Sequence, residues 1–497
     1  MEETLLWMLI LIPAILGAVI LAVPTQTRYL RGVIGSIASA FLVYLALKLW
    51  GQELSITVPW AEFGIDFQLR LYPFSQFIVT AIAGFTFLVM LYSIRFMADR
   101  PKNNQFYGFF FISEAMAIGA ALANNLVVML FFWEGLLITL FALISLGNER
   151  AYQTALKTFV IVGLSDLCLM LGIGIVGAQA NTLVMSEIHL DTVGLNGTAF
   201  VLMMIGAMAK AGAMPFHTWI PDAAIDAPLP FMALLPAALE KLLGIYLVAR
   251  IALDFFTLTM GMRILVMSIG AITIILAVMM ALVQKDFKRL LSYHAISQVG
   301  YMILGIGTGI PIGVVGGLFH MINHAMYKSC LFLTGGSVEK QAGTTDLHRL
   351  GGLWKVQPLT TICFVIAAAS ISGVPPFNGF VSKEMIFEGT LLLGAGYRIF
   401  FAAAVLGALF TAASFLKLGH AVFFGKPDPQ AKPTTEAHWT MTVPMVILAA
   451  GCIFFGIWFK FPLEFLIKPA LAVSLGPLVN NVHFAFGFGE LFWLTVL

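Results

Sequence analysis

The sequence predicts an all-α, polytopic membrane protein, and three observations support this prediction. Hydrophobic residues make up 60% of the 497 residues and charged residues only 10%, whereas a soluble domain is about one quarter charged. About fourteen apolar runs approach the roughly 20 residues that a transmembrane helix needs. Two of these runs are interrupted by proline. A chain of this composition needs lipid as its solvent.

The apolar runs are bounded by charged residues or by proline, glycine and asparagine. We place them at residues 5–23, 32–50, 73–94, 108–123, 125–146, 154–178, 198–215, 231–253, 262–283, 291–309, 312–336, 357–395, 399–420 and 440–460. The first run follows Glu2 and Glu3 instead of a basic segment, so we interpret it as a retained helix and not as a signal peptide. The apolar tail at 461–497 contains three prolines and is expected to add a lateral or surface helix.

The loops between these runs carry unequal amounts of positive charge. With the N-terminus outside, fifteen lysines and arginines fall in the inner loops and seven in the outer loops. Loops rich in these residues stay on the cytoplasmic side. Both ends of the fourteen-span core, including the N-terminus, are therefore expected to be extracytoplasmic.

The composition also excludes several classes of function. A net charge of +2 does not provide the cationic surface of a nucleic-acid-binding protein. The four cysteines are scattered in apolar runs without paired spacing, so we expect this chain to hold no disulfide framework, no metal site and no iron–sulfur cluster. Gly172, Gly174 and Gly177 match a dinucleotide-binding pattern, but they lie in an apolar run without a preceding strand and indicate helix packing.

After the twenty-two basic residues assigned to the inner and outer sides, five of the 27 remain, and all five are lysines inside apolar runs: Lys210, Lys241, Lys328, Lys383 and Lys417. A lysine at mid-membrane costs about 2.5–3.5 kcal/mol on the insertion scale. At that cost, we do not expect a buried lysine to be present without a role. The exception is Lys417, which lies close to the end of its run and is expected to extend to the inner surface.

Acidic and imidazole side chains accompany these lysines. Glu134 lies near the middle of its run, and His320, His324 and Lys328 follow one another at intervals of four residues, which places them on one helix face. Burial disfavours a charged lysine, a nearby carboxylate restores it, and histidine exchanges protons near neutral pH. The pattern predicts an ion relay and no pocket for an organic substrate. Asp166, Glu240 and His294 fit either such a relay or structural polar contacts.

Two interruptions accompany two of the lysines. Pro215 closes the run that contains Lys210, and Gly373, Pro375 and Pro376 split the run that leads to Lys383. Carbonyl groups freed by a proline are tolerated where they line a hydrated cavity or the protein interior. The two breaks are five spans apart, which suggests an internal repeat of spans 4–8 and 9–13, as in transporters that bind ions at broken helices.

Four motifs together resemble one known family. They are FFWEG with Glu134, KAGAMPFHTWIPDAAIDAPLP with Lys210, the run His320–His324–Lys328, and GVPPFNGFVSKE with Lys383. This combination is similar to the antiporter-like subunits of respiratory complex I, which share a family with subunits of Mrp-type cation/proton antiporters and of energy-converting membrane hydrogenases. The resemblance covers about residues 70–420.

The resemblance implies two inverted five-helix repeats with discontinuous helices 7 and 12, each repeat holding a half-channel. The implied segments are 1–100 with helices 1–3, 105–256 and 260–422 with the two repeats, and 438–497 with helix 14 and the apolar tail. Glu134 matches a glutamate that pairs with the lysine matched by Lys210. The other matched positions are Lys241, His320, His324, Lys328, Lys383, Asp166, Asp286 and Lys288. Gly163 stands where some members have an arginine, so an ion pair built on that arginine is not expected here.

The resemblance supports a leading hypothesis, a proton-translocating subunit of a redox-driven complex. Other membrane subunits and a soluble redox arm would be its partners, and iron–sulfur clusters or a flavin or nickel site would lie in those partners. The expected location is the cytoplasmic membrane of a bacterium or archaeon. Two alternatives remain: a subunit of a Mrp-type Na⁺/H⁺ antiporter without a redox partner, and a passive membrane anchor for a soluble enzyme.

Overall fold

Helices form most of the protein. The computed structural model describes residues 2–23, 29–61, 65–427 and 434–484. The α-helices are α1 Glu2–Ala22, α2 Leu30–Lys48, α3 Pro73–Phe96, α4 Asn103–Leu122, α5 Leu126–Ile144, α6 Ala151–Ala180, α7 Leu195–Ala211, α8 Trp219–Asp226, α9 Leu229–Leu234, α10 Glu240–Ala249, α11 Met260–Leu282, α12 Phe287–Thr308, α13 Pro311–Ala342, α14 Pro358–Ser372, α15 Asn378–Leu391, α16 Arg398–Gly419, α17 Trp439–Ile457, α18 Lys460–Pro462 and α19 Lys468–Leu475.

Eleven helical stretches in the described part of the chain are long and apolar enough to cross a membrane. The shorter apolar helices α7 and α14 are the first halves of interrupted runs. The chain is thus a multi-pass, mainly helical membrane protein, as predicted, while the count of fourteen spans stays a prediction. Within the predicted tail, Lys460–Asn481 is helical and apolar, and residues 485–497 lie outside the described residues.

A β-hairpin departs from the purely helical prediction. Strand β1, Leu54–Ala61, pairs antiparallel with β2, Ile65–Leu71. A second, two-residue pair joins β3, Leu190–Asp191, to β4, Phe256–Thr257. Strands of seven or eight residues are too short to register in a search for runs of about 20 apolar residues. The search therefore assigned the hairpin to a loop.

The two predicted interruptions are present. Helix α7 ends at Ala211 before α8 begins at Trp219, and α14 ends at Ser372 before α15 begins at Asn378. Gly373 closes α14 with a φ of 82°, a left-handed conformation that favours glycine. Each break leaves the C-terminal carbonyls of a half-helix without helical partners.

The helix that carries Glu240 and Lys241 is irregular at both ends. A π-helical segment, Leu235–Leu239, precedes α10, and another, Arg250–Phe255, follows it. Pro236 lies in the first segment, where its missing N–H and its ring disturb the regular hydrogen-bond pattern. Such π-helical turns are frequent at functional sites.

The chain divides into two compact units. The first comprises Met1–Ala211, Asp226–Leu235 and Leu239–Thr259, and the second comprises Gly212–Ile225, Pro236–Ala238 and Met260–Leu497. Helices α1 to α7, α9 and α10 belong to the first unit, and α11 to α19 belong to the second. The repeat boundaries inferred from the sequence, and the inversion between repeats, stay predictions.

The glycine pattern in α6 serves helix packing, as the sequence analysis predicted. A Cβ atom on Gly172 would lie 3.0 Å from the Met203 backbone nitrogen and 3.1 Å from the Ala199 carbonyl oxygen of α7. A Cβ atom on Gly174 would meet nothing within 4 Å. Gly172 therefore allows a close approach of α6 and α7, which positions Asp166 and Lys210 in the same unit.

We predict that Gly172→Ala lowers the thermal stability of the protein and that Gly174→Ala does not. The added methyl group at Gly172 meets backbone atoms, and overpacking of this kind costs about 1–3 kcal/mol. The matched substitution at Gly174 adds helix propensity worth up to about 1 kcal/mol. The measurement is the Tm of the detergent-purified native assembly. Equal Tm values for the two variants would contradict the packing role of Gly172.

Candidate functional site

Lys210 is the centre of a charged cluster in the first unit. It lies in the last turn of α7 and is completely buried. Its ammonium donates to the Trp133 carbonyl at 3.2 Å, lies 3.9 Å from an Asp166 carboxylate oxygen, and lies 4.8 Å from the centre of the Trp133 ring. A carboxylate, a carbonyl dipole and an aromatic face together compensate the loss of water around the charge.

Asp166 connects the cluster to α5 as well as to α7. The Trp133 indole nitrogen donates to one of its carboxylate oxygens at 2.9 Å, and the other oxygen forms the ion pair with Lys210. The sequence left open whether Asp166 is a structural contact or a relay residue. In the structure it is a helix–helix hydrogen-bond acceptor and also the counter-ion of the buried lysine.

Glu134 is not the ion-pair partner of Lys210, in contrast to the pairing that the resemblance implies. Asp166 is the carboxylate within 4.0 Å of this lysine among the described residues. Glu134 is half-buried, with one carboxylate oxygen buried and without a hydrogen-bond partner in the described part of the chain. The reason is geometric: successive helix residues point about 100° apart, and Trp133 occupies the face of α5 towards Lys210.

Glu240 and Lys241 complete the charged cluster of the first unit. Both side chains are fully buried. The Glu240 carboxylate lies within electrostatic range of Lys210, Lys241 and Asp166. Neither its oxygens nor the Lys241 amine has a hydrogen-bond partner among the described residues. Three carboxylates and two amines thus share one buried region, which permits protons to be redistributed among them.

Lys383 lies at the break between α14 and α15 in the second unit. Its exposed fraction is 2%, its ammonium donates to the Ile371 carbonyl at 2.7 Å, and it lies 4.9 Å from the centre of the Tyr301 ring. Ile371 is in the last turn of α14, where carbonyl groups lack helical partners and the helix dipole is negative. The break therefore creates the binding place for this charge.

His320 lies among uncharged polar groups in the same unit. One ring nitrogen, Nδ1, lies 2.9 Å from the Ser382 hydroxyl, and the other, Nε2, lies 3.1 Å from the Gln298 amide oxygen. The Tyr327 hydroxyl lies 3.2 Å from Nε2. The sequence analysis singled out His320 but not Gln298, Tyr327 or Ser382, because no sequence pattern joins positions on α12, α13 and α15.

The remaining residues of the predicted relay on α13 are also buried. His324 packs its ring against that of Tyr327 at 5.5 Å. The Lys328 ammonium lies 5.7 Å from the ring centres of both Phe332 and Phe415. His294 on α12 meets the Ser414 hydroxyl at 2.8 Å and packs against Phe415. The bond of Nε2 to Ser414 is a structural polar contact, one of the two interpretations of this residue, while Nδ1 is buried without a hydrogen-bond partner among the described residues.

Three further candidates lie at helix ends. Asp286 caps the N-terminus of α12 by accepting from the Arg289 amide at 3.0 Å and also accepts from the Thr345 hydroxyl at 2.5 Å. Lys288 forms an ion pair with Glu339 at 3.2 Å. The exposed Lys417 donates to carbonyls at the end of α11, as its predicted surface position requires. These contacts give all three a structural role.

The sequence analysis missed several buried charged residues, among them Arg250 and Glu114. It placed Arg250 in an outer loop, but the side chain is 3% exposed and contacts Asp254 at 2.6 Å and the Tyr72 hydroxyl at 2.7 Å. Glu114 on α4 is completely buried beside Thr86. Its signal was an acidic residue inside the run 108–123. Arg250 lies near the end of the run 231–253, and its assignment to the outer side concealed its burial, which depends on residues far away in the chain.

Two family models match the chain. Residues 123–411 match the family described as "NADH:quinone oxidoreductase/Mrp antiporter, TM". Residues 58–107 match the family described as "NADH-Ubiquinone oxidoreductase (complex I), chain 5 N-terminus". The first match covers more than half of the chain and includes both clusters.

Curated relatives include components of cation/proton antiporters. The A1 component of the Na⁺/H⁺ antiporter of Staphylococcus haemolyticus is 30% identical over 480 residues, which cover 90% of this chain and 59% of the relative. The A/B component of the probable K⁺/H⁺ antiporter of Rhizobium meliloti is 31% identical over 479 residues, which cover 92% of this chain and 47% of the relative. The chain thus spans about half to three fifths of the length of these relatives.

Solved structures of three multi-subunit membrane complexes contain similar chains. A chain of the Mrp complex from Dietzia sp. DQ12-45-1b has a TM-score of 0.86 at 21% identity and covers 96% of this chain and 98% of its own length. A chain of an archaeal membrane-bound sulfane sulfur reductase has a TM-score of 0.82 at 25% identity, and the match covers 92% of this chain and 76% of that chain. A chain of Thermus thermophilus complex I has a TM-score of 0.81 at 20% identity, and the match covers 95% of this chain and 99% of that chain.

The structural matches at 20% and 21% identity establish the fold alone, whereas the family match over residues 123–411 establishes the relationship. The resemblance inferred from the four motifs is therefore confirmed. This chain belongs to the family of antiporter-like membrane subunits shared by NADH:quinone oxidoreductase and Mrp antiporters.

Proposed function

We propose that this chain moves protons across the bacterial or archaeal cytoplasmic membrane as one component of a Mrp-type cation/proton antiporter. The buried Asp166–Lys210 ion pair is the observation that carries the proposal. A charge pair at 0% and 1% exposure has a high desolvation penalty, and replacing such a pair with apolar residues is often stabilising. Its retention in a membrane protein points to ion movement.

The arrangement around Lys210 suggests how proton movement is controlled. The protonated form of Lys210 is stabilised while Asp166 is ionised. It loses this stabilisation when a proton or another cation neutralises that carboxylate. Glu134 and Glu240 lie close enough to change the balance electrostatically. Protonation of one carboxylate would therefore favour release of a proton from Lys210.

The cation-exchange part of the proposal is supported by the relatives. Two curated relatives that are 30% and 31% identical are described as Na⁺/H⁺ and K⁺/H⁺ antiporter subunits. Moving one charge against 100 mV requires about 2.3 kcal/mol. In an antiporter, the coupled movement of Na⁺ or K⁺ with other membrane subunits of the complex supplies or uses this free energy.

A redox-driven complex is the second candidate function. It is favoured by the similarity to a chain of an archaeal sulfane sulfur reductase at 25% identity and a TM-score of 0.82. In this case, a soluble arm with iron–sulfur, flavin or nickel centres would supply the free energy, and this chain would still move the protons. A passive anchor is the weakest candidate, because it gives no reason for the buried charges.

We predict that membranes containing the native complex exchange cations for protons without an electron donor. Everted vesicles are acidified, and the pH rise inside them on addition of NaCl or KCl is followed with a pH-sensitive dye. A pH change that depends on the added cation and is the same with or without a quinone or sulfur acceptor supports the antiporter. Proton movement that requires a reductant and an acceptor would contradict it and would support the redox-driven complex.

We also predict that Lys210→Ala abolishes proton movement while the complex still assembles. The substitution removes the only amine that contacts Asp166 in the described residues, and the expected loss is roughly tenfold or more, about 1.4 kcal/mol in barrier height. Lys417→Ala is the control, because its amine is exposed and lies at a helix end. Unchanged proton flux in Lys210→Ala vesicles with normal complex content would remove Lys210 from the mechanism.

A third prediction separates the two carboxylates near Lys210. Asp166→Asn leaves the buried ammonium without its direct counter-ion, and breaking a buried pair costs about 3–5 kcal/mol. Glu134→Gln leaves the ion pair in place, so its cost in stability should be small. The measurement is the Tm of the purified complex. A larger loss of Tm in Glu134→Gln would show that Glu134, and not Asp166, is the partner of Lys210.

A further inference from the structure

Within the described residues, the imidazole of His320 has three hydrogen-bond partners, and none of these three is charged. They are Ser382 on α15, Gln298 on α12 and Tyr327 on its own helix α13, at 2.9, 3.1 and 3.2 Å. His320, Gln298, Tyr327 and Ser382 are all completely buried. A histidine in such a place cannot exchange its proton directly with solvent. Its protonation depends on what these three groups can donate or accept.

Ser382 is arranged to accept a hydrogen bond from Nδ1. Its hydroxyl donates to the carbonyls of Asn378 or Gly379, each at 3.3 Å. A serine hydroxyl has one hydrogen and two lone pairs, so a lone pair remains for the Nδ1–H group of His320. The neutral ring then carries its proton on Nδ1 and presents a lone pair at Nε2.

Two groups meet at Nε2: the Tyr327 hydroxyl, which can donate or accept, and the Gln298 amide oxygen, which can only accept. The Tyr327 hydroxyl can donate to the lone pair of the neutral ring at 3.2 Å. The Gln298 amide oxygen, at 3.1 Å, can only accept, and it becomes the partner once Nε2 carries a proton. The same amide oxygen lies 3.5 Å from the Tyr327 hydroxyl, so tyrosine has an acceptor when the ring no longer accepts.

The contacts therefore accommodate both protonation states of the ring. A proton that arrives on Nε2 gives the imidazolium with one added positive charge, and loss of either N–H proton restores the neutral ring. The ionisable groups that face the ring are Lys383 from α15, Tyr301 from α12 and Tyr327 from α13, and His324 and Cys452 in turn face Tyr327. Lys383 opposes the added charge, so the acceptors must compensate it.

We propose that Gln298 is a positioning residue that gives protonated His320 a neutral acceptor, so that the imidazole carries a proton without being held by a carboxylate. This inference rests on the proposed proton-moving function. A carboxylate at this place would stabilise the imidazolium and retain the proton. An apolar side chain would leave the Tyr327 hydroxyl as the acceptor for Nε2–H, and that hydroxyl would then lose Gln298 as the acceptor for its own hydrogen. The amide lies between these extremes.

The test uses two substitutions of nearly unchanged shape in the native complex. Gln298→Leu removes the acceptor and is expected to lower proton flux roughly tenfold. Gln298→Glu supplies a carboxylate and is expected to move the pH of half-maximal flux upward by about one unit or more. Gln357→Leu is the control, because Gln357 is a buried glutamine of the same unit without side-chain hydrogen bonds among the described residues. A purely structural role would lower complex content without moving the pH profile.

A second measurement decides the role of Gln298 separately from transport. The ¹⁵N signals of the His320 ring in labelled complex, assigned by comparison with His320→Gln, report its protonation directly. An upward shift of the titration midpoint in Gln298→Glu supports the proposal even if the wild-type complex moves no protons, which would refute the proposed function alone. An unshifted midpoint in Gln298→Glu, with unchanged flux in an assembled Gln298→Leu complex, would overturn the inference.

Discussion

The two central lysines are held by groups of the protein, and the rest of the site depends on this arrangement. An ammonium in a low-dielectric interior needs a counter-charge or oriented dipoles. Lys210 has the Asp166 carboxylate and the Trp133 carbonyl, and Lys383 has the Ile371 carbonyl. Lys210 lies in the last turn of a half-helix, and Lys383 donates to the last turn of another. The break after α14 thus supplies the carbonyl that holds Lys383, whereas Lys210 is held by groups on the continuous helices α5 and α6.

The lipid environment explains why much of the fold and site could be predicted from the sequence. A charge inside an apolar run has a penalty that does not depend on distant residues, so Glu134, Lys210 and Lys383 were visible without a structure. The break at Gly373 was equally visible, since glycine and proline act on the local backbone. The sequence also indicated that Gly172 and Gly174 do not belong to a nucleotide-binding motif, because the turn of such a motif cannot form in a continuous apolar helix.

The features that were not predicted all depend on contacts between distant positions. The partner of Lys210 is 44 positions away in the chain, and the resemblance suggested Glu134 in its place. Arg250 lies near the end of an apolar run and was assigned to the outer side, yet Tyr72, which lies 178 positions away, helps to bury it. The hairpin β1–β2 was missed because seven or eight alternating residues have too little length to stand out beside helices.

The two clusters use different chemistry, and the difference suits different tasks. In the first unit, carboxylates lie beside amines, and ion pairing holds charge firmly while allowing one protonation to control another. In the second unit, the hydrogen-bond partners of His320 among the described residues are amide and hydroxyl groups, which carry no negative charge to retain a proton. A strong charge pair suits the control of a proton, whereas neutral acceptors suit its passage. A chain that moves protons needs both properties, and a passive anchor needs neither.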